Sequence, residues 1–159
     1  RIIYKICMLI DIDPVLSPEL LSVLQSMGHG DRLALCDANF PAHSHNPLVI
    51  RLDGINIPRA AKAILSVFPL DSFIPSPIQR MEIDDNPDEI NEVHQDLIEV
   101  VKEVSGPDWN IGSIERQQFY EETKSTYCVV STSETRPFGC FILTKGVIKP
   151  DGSVWVLQR

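Results

Sequence analysis

Several absences narrow the chemistry of this chain before any motif is read. No apolar run approaches the roughly 18 residues that a membrane-spanning helix needs, so no membrane role is expected. No stretch gathers Lys and Arg into a patch, and 22 acidic against 14 basic residues leave a formal charge of −8. Such a surface repels a phosphate backbone, which excludes nucleic acid as a partner. The scattered cations Arg51, Arg80 and Arg116 are too few to meet a polyphosphorylated ligand. Glycine-rich phosphate loops, a dinucleotide fingerprint and a GxSxG nucleophile turn are all missing. The four cysteines, Cys7, Cys36, Cys128 and Cys140, share no CxxC spacing, and three lie in apolar runs. They read as reduced core thiols, which points to a cytoplasmic protein. Neutral, hydroxyl-rich small molecules remain open as ligands.

What is present is ordinary for one globular domain: 159 residues, 43% hydrophobic and 23% charged, enough to bury a core without metal or disulfide support. The opening RIIYKICMLI is basic and apolar, but Lys5 interrupts it and no small-residue cleavage site follows, so it is not read as a signal peptide. Met8 reads as a natural start, with residues 1–7 an extension, 8–150 the domain and 151–159 a tail.

Ser17, Pro18 and Glu19 supply a cap, a first-turn proline and an early carboxylate for a helix whose apolar face is Leu20, Leu21, Leu24 and Met27. Gly28 stands where its C-terminal cap belongs. Strands are expected at 33–36, 48–52, 79–83, 127–131 and 138–144, with a loop over 37–47 and an edge strand in 152–158. Pro58 opens a second helix and Pro87 a long one to about Ser105, striped by Ile90, Val93, Leu97, Ile98, Val101 and Val104. A further helix covers 116–125. Helices and strands alternate with no repeat and no low-complexity linker, which predicts a single three-layer α/β/α domain.

Two short stretches stand out chemically. In Gly28-His29-Gly30-Asp31 the glycines permit unusual backbone and close approach, while an imidazole just past a helix end is accessible to solvent and suited to proton transfer. The plainer reading is a helix cap followed by a surface histidine. Asp37 follows an apolar strand at its carboxyl end, where α/β sheets form ligand crevices, or else simply starts a loop. Spacing alone does not require His29 and Asp37 to converge. His43 and His45 form an isolated pair without the further ligands zinc wants, so no metal is expected. His94 lies near the apolar stripe of the long helix and reads as structural.

DPVLSPELLSVLQSMGHGD ending at Asp31, DANFPAHS (37–44), PLDSF (69–73), ERQQFYEETK (115–124) and FGCFILTKGV (138–147) together resemble the RbsD/FucU-like sugar mutarotase family, which includes ribose pyranase and fucose mutarotase. The resemblance runs from about Met8 to Val147. It implies a central mixed sheet, interconversion of the α and β anomers of a free monosaccharide, no cofactor, and a homo-oligomer, a ring such as a decamer with sites near subunit contacts. It places the catalytic histidine on His29 and substrate binding on Asp37, Arg116, Phe138, Gly139 and Cys140. Arginine at 116 is similar to the fucose branch rather than the ribose branch. Phe138 and Cys140 depart from the family's Tyr and Asn, losing a phenolic hydroxyl and an amide. L-fucose, or a related 6-deoxyhexose or pentose, is the expected substrate. The alternative is a non-catalytic sugar-binding protein accessory to uptake.

Overall fold

A computed structural model describes residues 9–158. Cys7, Met8 and the proposed extension over 1–7 lie outside them. Eleven elements alternate: α1 (Pro18–Ser26), β1 (Arg32–Cys36), α2 (Ala42–His45), β2 (Val49–Leu52), α3 (Ile57–Leu65), β3 (Ile78–Met81), α4 (Glu92–Ser105), β4 (Ile111–Ile114), α5 (Arg116–Thr123), β5 (Cys128–Thr132) and β6 (Phe141–Thr144). The six strands form one sheet in the order β2-β5-β1-β6-β3-β4. β6 runs antiparallel to both β1 and β3, whereas β1–β5, β2–β5 and β3–β4 are parallel. The sheet is therefore mixed, with five strands pointing one way and β6 returning between them.

Because successive strand residues face opposite sides, β1 divides its side chains between two cores. Leu33 and Leu35 join Leu20, Leu24, Ile57, Ile64, Leu97 and Phe141 under α1, α3 and α4. Ala34 and Cys36 join Phe119, Ile142 and Cys140 under α2 and α5. Helices thus cover both faces, and the expected three-layer α/β/α architecture with a mixed sheet is what the chain adopts. No helix among the described residues is long and apolar enough to cross a membrane.

Local chemistry explains most boundaries. Ser17 accepts the Leu20 N–H to start α1, and Asn56 accepts that of Arg59 to start α3. Several expectations are corrected. Pro87 does not open the long helix; Asn91 caps it and pairs reciprocally with His94, so α4 begins at Glu92 and Ile90 stays exposed. Residues 37–47 are not all loop, since α2 turns there. β4 escaped sequence reading because IGSI is a half-buried edge strand with a glycine and no alternation. The segment 152–158 adds no strand to the sheet; it folds back through a bridge between Ile148 and Val154.

Candidate functional site

The candidate residues lie at opposite ends of β1. His29 precedes the strand and Asp37 follows it, so the five residues of β1, about 17 Å of extended chain, stand between them. The structure does not bring them together within one chain.

At the first end, Gly28 is not the left-handed cap expected of it. Met27, extended, ends α1, and Gly28 donates its N–H to Asp31 Oδ2 at 2.7 Å. The left-handed residue is Gly30, with φ +86°, whose N–H donates to the Lys145 carbonyl at 2.9 Å. Lys145 also donates from Nζ to the Leu24 and Met27 carbonyls, placing a cation on the C-terminal end of α1. This clamp throws His29 outward, its side chain 43% exposed. His29 Nε2 lies 3.1 Å from Oδ1 of Asp71, a buried residue whose Oδ1 also accepts the Phe73 N–H at 3.0 Å. Nε2 is thus the ring nitrogen turned to the carboxylate, and Nδ1 is the one left for a ligand. The Phe73 ring meets the imidazole edge-on, 4.8 Å between centroids and 67° between planes. Behind Asp71 a cavity of about 1000 Å³ opens between Trp109 and Leu157.

At the second end, Asp37 is buried and almost saturated. Oδ1 accepts the N–H groups of Asn39 and Phe40 at 3.0 and 3.1 Å, and Oδ2 accepts that of Gly139 at 3.1 Å. Burial pushes its carboxyl above the ordinary value, opposed by these bonds and by the Cys140 thiol. Gly139 is presented by a strained neighbour, since Phe138 has φ +59°, a left-handed conformation uncommon for an aromatic residue. His94 holds it there: Nε2 donates to the Phe138 carbonyl at 2.8 Å while Nδ1 accepts the Asn91 N–H. Burial keeps this imidazole below its ordinary value and so neutral. His94 is thus structural, as read, but its contact is with the candidate site.

Arg116 opens α5, exposed, with its guanidinium 5.7 Å from the Tyr120 ring centroid. Tyr120 packs edge-on against Phe40 and His45, which ties Arg116 to the loop that Asp37 holds. Asp37, Arg116, Phe138, Gly139 and Cys140 therefore share one rim of the sheet, and His29 stands on the other. Burial pushes the Cys140 thiol well above its ordinary value, with Cys36 adding to it, and Cys128 rises to about 12. These thiols are protonated and unsuited to attack. No three His, Cys, Asp or Glu side chains among the described residues could hold a metal ion. His43 and His45 sit on α2, where the His45 ring contacts aromatics and Pro41.

Sequence reading missed Asp71 and Tyr120. Both lie inside quoted motifs, PLDSF and ERQQFYEETK, but nothing local shows that Asp71 faces a histidine 42 residues earlier.

Fold and site describe a class: three-layer α/β proteins with an exposed imidazole paired to a buried carboxylate at one sheet rim and a buried, backbone-bonded aspartate at the other. The chain belongs to the RbsD/FucU transport protein family, which matches residues 10–148. It is 41% identical to a fucose mutarotase of Danio rerio, over 88% of this chain and 94% of that protein. An L-fucose mutarotase of Actinobacillus pleuropneumoniae serotype 5b is 39% identical over 88% of this chain and 97% of its own length. The crystal structure of the fucose mutarotase of Streptococcus pneumoniae in complex with L-fucose superposes with a TM-score of 0.79 at 38% identity, covering 89% of this chain and all of that one.

Proposed function

We propose that the chain is a sugar mutarotase, an isomerase that interconverts the α and β anomers of free L-fucose or a related 6-deoxyhexose or pentose by acid–base ring opening. The observation that carries this reading is the His29–Asp71 pair. Opening a cyclic hemiacetal removes the proton on O1, breaks the bond between C1 and the ring oxygen, and delivers a proton to that oxygen. Rotation about C1–C2 and reclosure give the other anomer. O1 and the ring oxygen share C1, so one imidazole can take the proton at Nδ1 and return it to the second oxygen, while Asp71 stabilises the imidazolium. The step needs no cofactor or metal.

Asp37 positions one sugar hydroxyl. Three of its roughly four acceptor sites are filled by backbone N–H groups, and the fourth faces the Cys140 thiol, a weak donor that a hydroxyl can displace. Arg116 and Tyr120 donate to further hydroxyls, the Gly139 backbone lets the sugar approach closely, and Phe138 offers a ring face. The separation of the two rims is itself an argument for self-assembly. A ring of copies, such as a decamer, sets the His29 rim of one subunit against the Asp37 rim of the next and completes each site at a contact.

Saturation-exchange NMR on L-fucose tests the assignment. The native chain accelerates anomer exchange, and His29→Ala loses at least about 100-fold of that acceleration. An equally active variant rejects the role of His29. Binding of L-fucose without acceleration by the native chain would replace mutarotation with the sugar-binding reading.

A further inference from the structure

The family match ends at Ile148, yet the residues after it return to the His29 rim. The chain turns at Asp151 and Gly152, and the Trp155 N–H donates to the Val147 carbonyl at 2.8 Å. Ser72 then ties the segment down: Oγ donates to the Trp155 carbonyl at 2.7 Å and accepts the Leu157 N–H at 3.0 Å. Ser72 directly follows Asp71, the carboxylate behind His29. In consequence the Trp155 indole stands edge-on to Phe73, 5.7 Å between centroids and 71° between planes, and Phe73 stands edge-on to His29. Trp155 is 44% exposed and Phe73 39%. Two large apolar rings left half in solvent, in line with an exposed imidazole, make a continuous surface that begins at the group moving the proton.

We infer that Phe73 and Trp155 form an apolar wall that reads the C5 substituent of the sugar, making this chain selective for 6-deoxy sugars. The inference rests on the role given to His29 above. The ring oxygen that His29 must protonate is bonded to C1 and to C5. A surface beside the imidazole therefore meets whatever C5 carries: a methyl in a 6-deoxyhexose, a hydroxymethyl in a hexose, a hydrogen in a pentose. Aromatic carbon gains contact with the methyl, whereas a hydroxymethyl pressed against it gives up a hydrogen bond to water that the rings do not replace. Trp155, supplied from beyond the family-matched stretch, is the specificity-determining residue, and Phe73 is the part of the wall nearest His29.

The test compares L-fucose, L-galactose and D-arabinose, which share ring configuration and carry CH₃, CH₂OH and H at C5. Anomer exchange is measured for the native chain, Trp155→Ala and Trp155→Phe. The native chain prefers L-fucose. In Trp155→Ala the kcat/KM for L-fucose falls about fourfold relative to that for D-arabinose, the worth of one buried methyl-sized group, and the loss lies in KM. Trp155→Phe recovers most of it. Unchanged sugar ratios overturn the inference, and so does an equal loss on all three sugars, which makes the segment a structural prop. If the native chain exchanges none of them, the mutarotase reading fails by itself, and binding still decides the wall. Titration with L-fucose then changes tryptophan fluorescence in the native chain but not in Trp155→Ala, where Trp109 remains; the same response in both overturns it.

Discussion

At the start of β1 a histidine stands in solvent against a single buried carboxylate, while at its end an aspartate lies buried under three backbone donors. Both residues fall in short polar motifs, and both are positioned by loops that close on β6. Their physical states differ because their partners do. His29 keeps one ring nitrogen free and accessible, the condition for passing protons to a ligand. Asp37 has spent nearly all its acceptor capacity on main chain, so it fixes the shape of the Asp37–Phe40 and Phe138–Gly139 turns and gives its remaining capacity to the Cys140 thiol. In the proposed reaction, chemistry is concentrated at the open rim and shape at the closed one.

Paired substitutions sharpen that contrast most. His29→Ala loses at least about 100-fold in exchange rate but costs only about 1 kcal/mol of stability, because Asp71 keeps its bond from the Phe73 N–H. Asp37→Ala leaves the N–H groups of Asn39, Phe40 and Gly139 without their acceptor and costs about 3 kcal/mol or more in urea unfolding. Equal stability losses at the two positions would break the comparison.

Asp71→Asn tests whether the carboxylate orients His29 or merely fills space. Exchange falls at least about tenfold with KM little changed, since the amide no longer stabilises an imidazolium. Smaller again is the glycine pair beside it. Gly30→Ala forces a side chain into φ +86° and costs about 1–2 kcal/mol, whereas Gly28→Ala meets nothing closer than 3.7 Å and stays within about 0.5 kcal/mol in thermal unfolding.

The mildest effect appears as pH dependence at the closed rim. Burial lowers the His94 pKa from an ordinary 6.5, so the folded chain holds that proton more weakly than the unfolded one. Its contribution to stability is complete above about pH 6.5 and is lost as pH falls from there toward the lowered value. Arg80 adds a repulsive charge in the same direction. His94→Gln, which can still donate to the Phe138 carbonyl, therefore shows a smaller drop in Tm between pH 7 and pH 5 than the native chain.

Much of the fold was legible because its signals are local. Ser17-Pro18 and Pro58 mark helix starts that the backbone uses, and the apolar run Leu33–Cys36 is buried on both faces as a central strand must be. Pro87 misled because a capping box four residues on, Asn91 with His94, competes for the same helix start and satisfies two backbone donors at once. β4 and the folded-back end depend on distant partners, β3 and Ser72, which no window of sequence contains.

By itself the sequence determined the class of the protein. Acidic surface, one-domain length, alternating helix and strand signals and the GHGD and DANFPAHS motifs sufficed for an α/β domain with His29 as its candidate acid–base group. Only tertiary structure decided how those residues act together. The partner of His29 is Asp71, brought 42 residues along the chain by the turn into β3, and the two motif residues Asp37 and His29 are held apart by the length of β1. Periodicity reports which face a residue takes, whereas proximity across a sheet depends on strand order, which is set by burial summed over the whole chain.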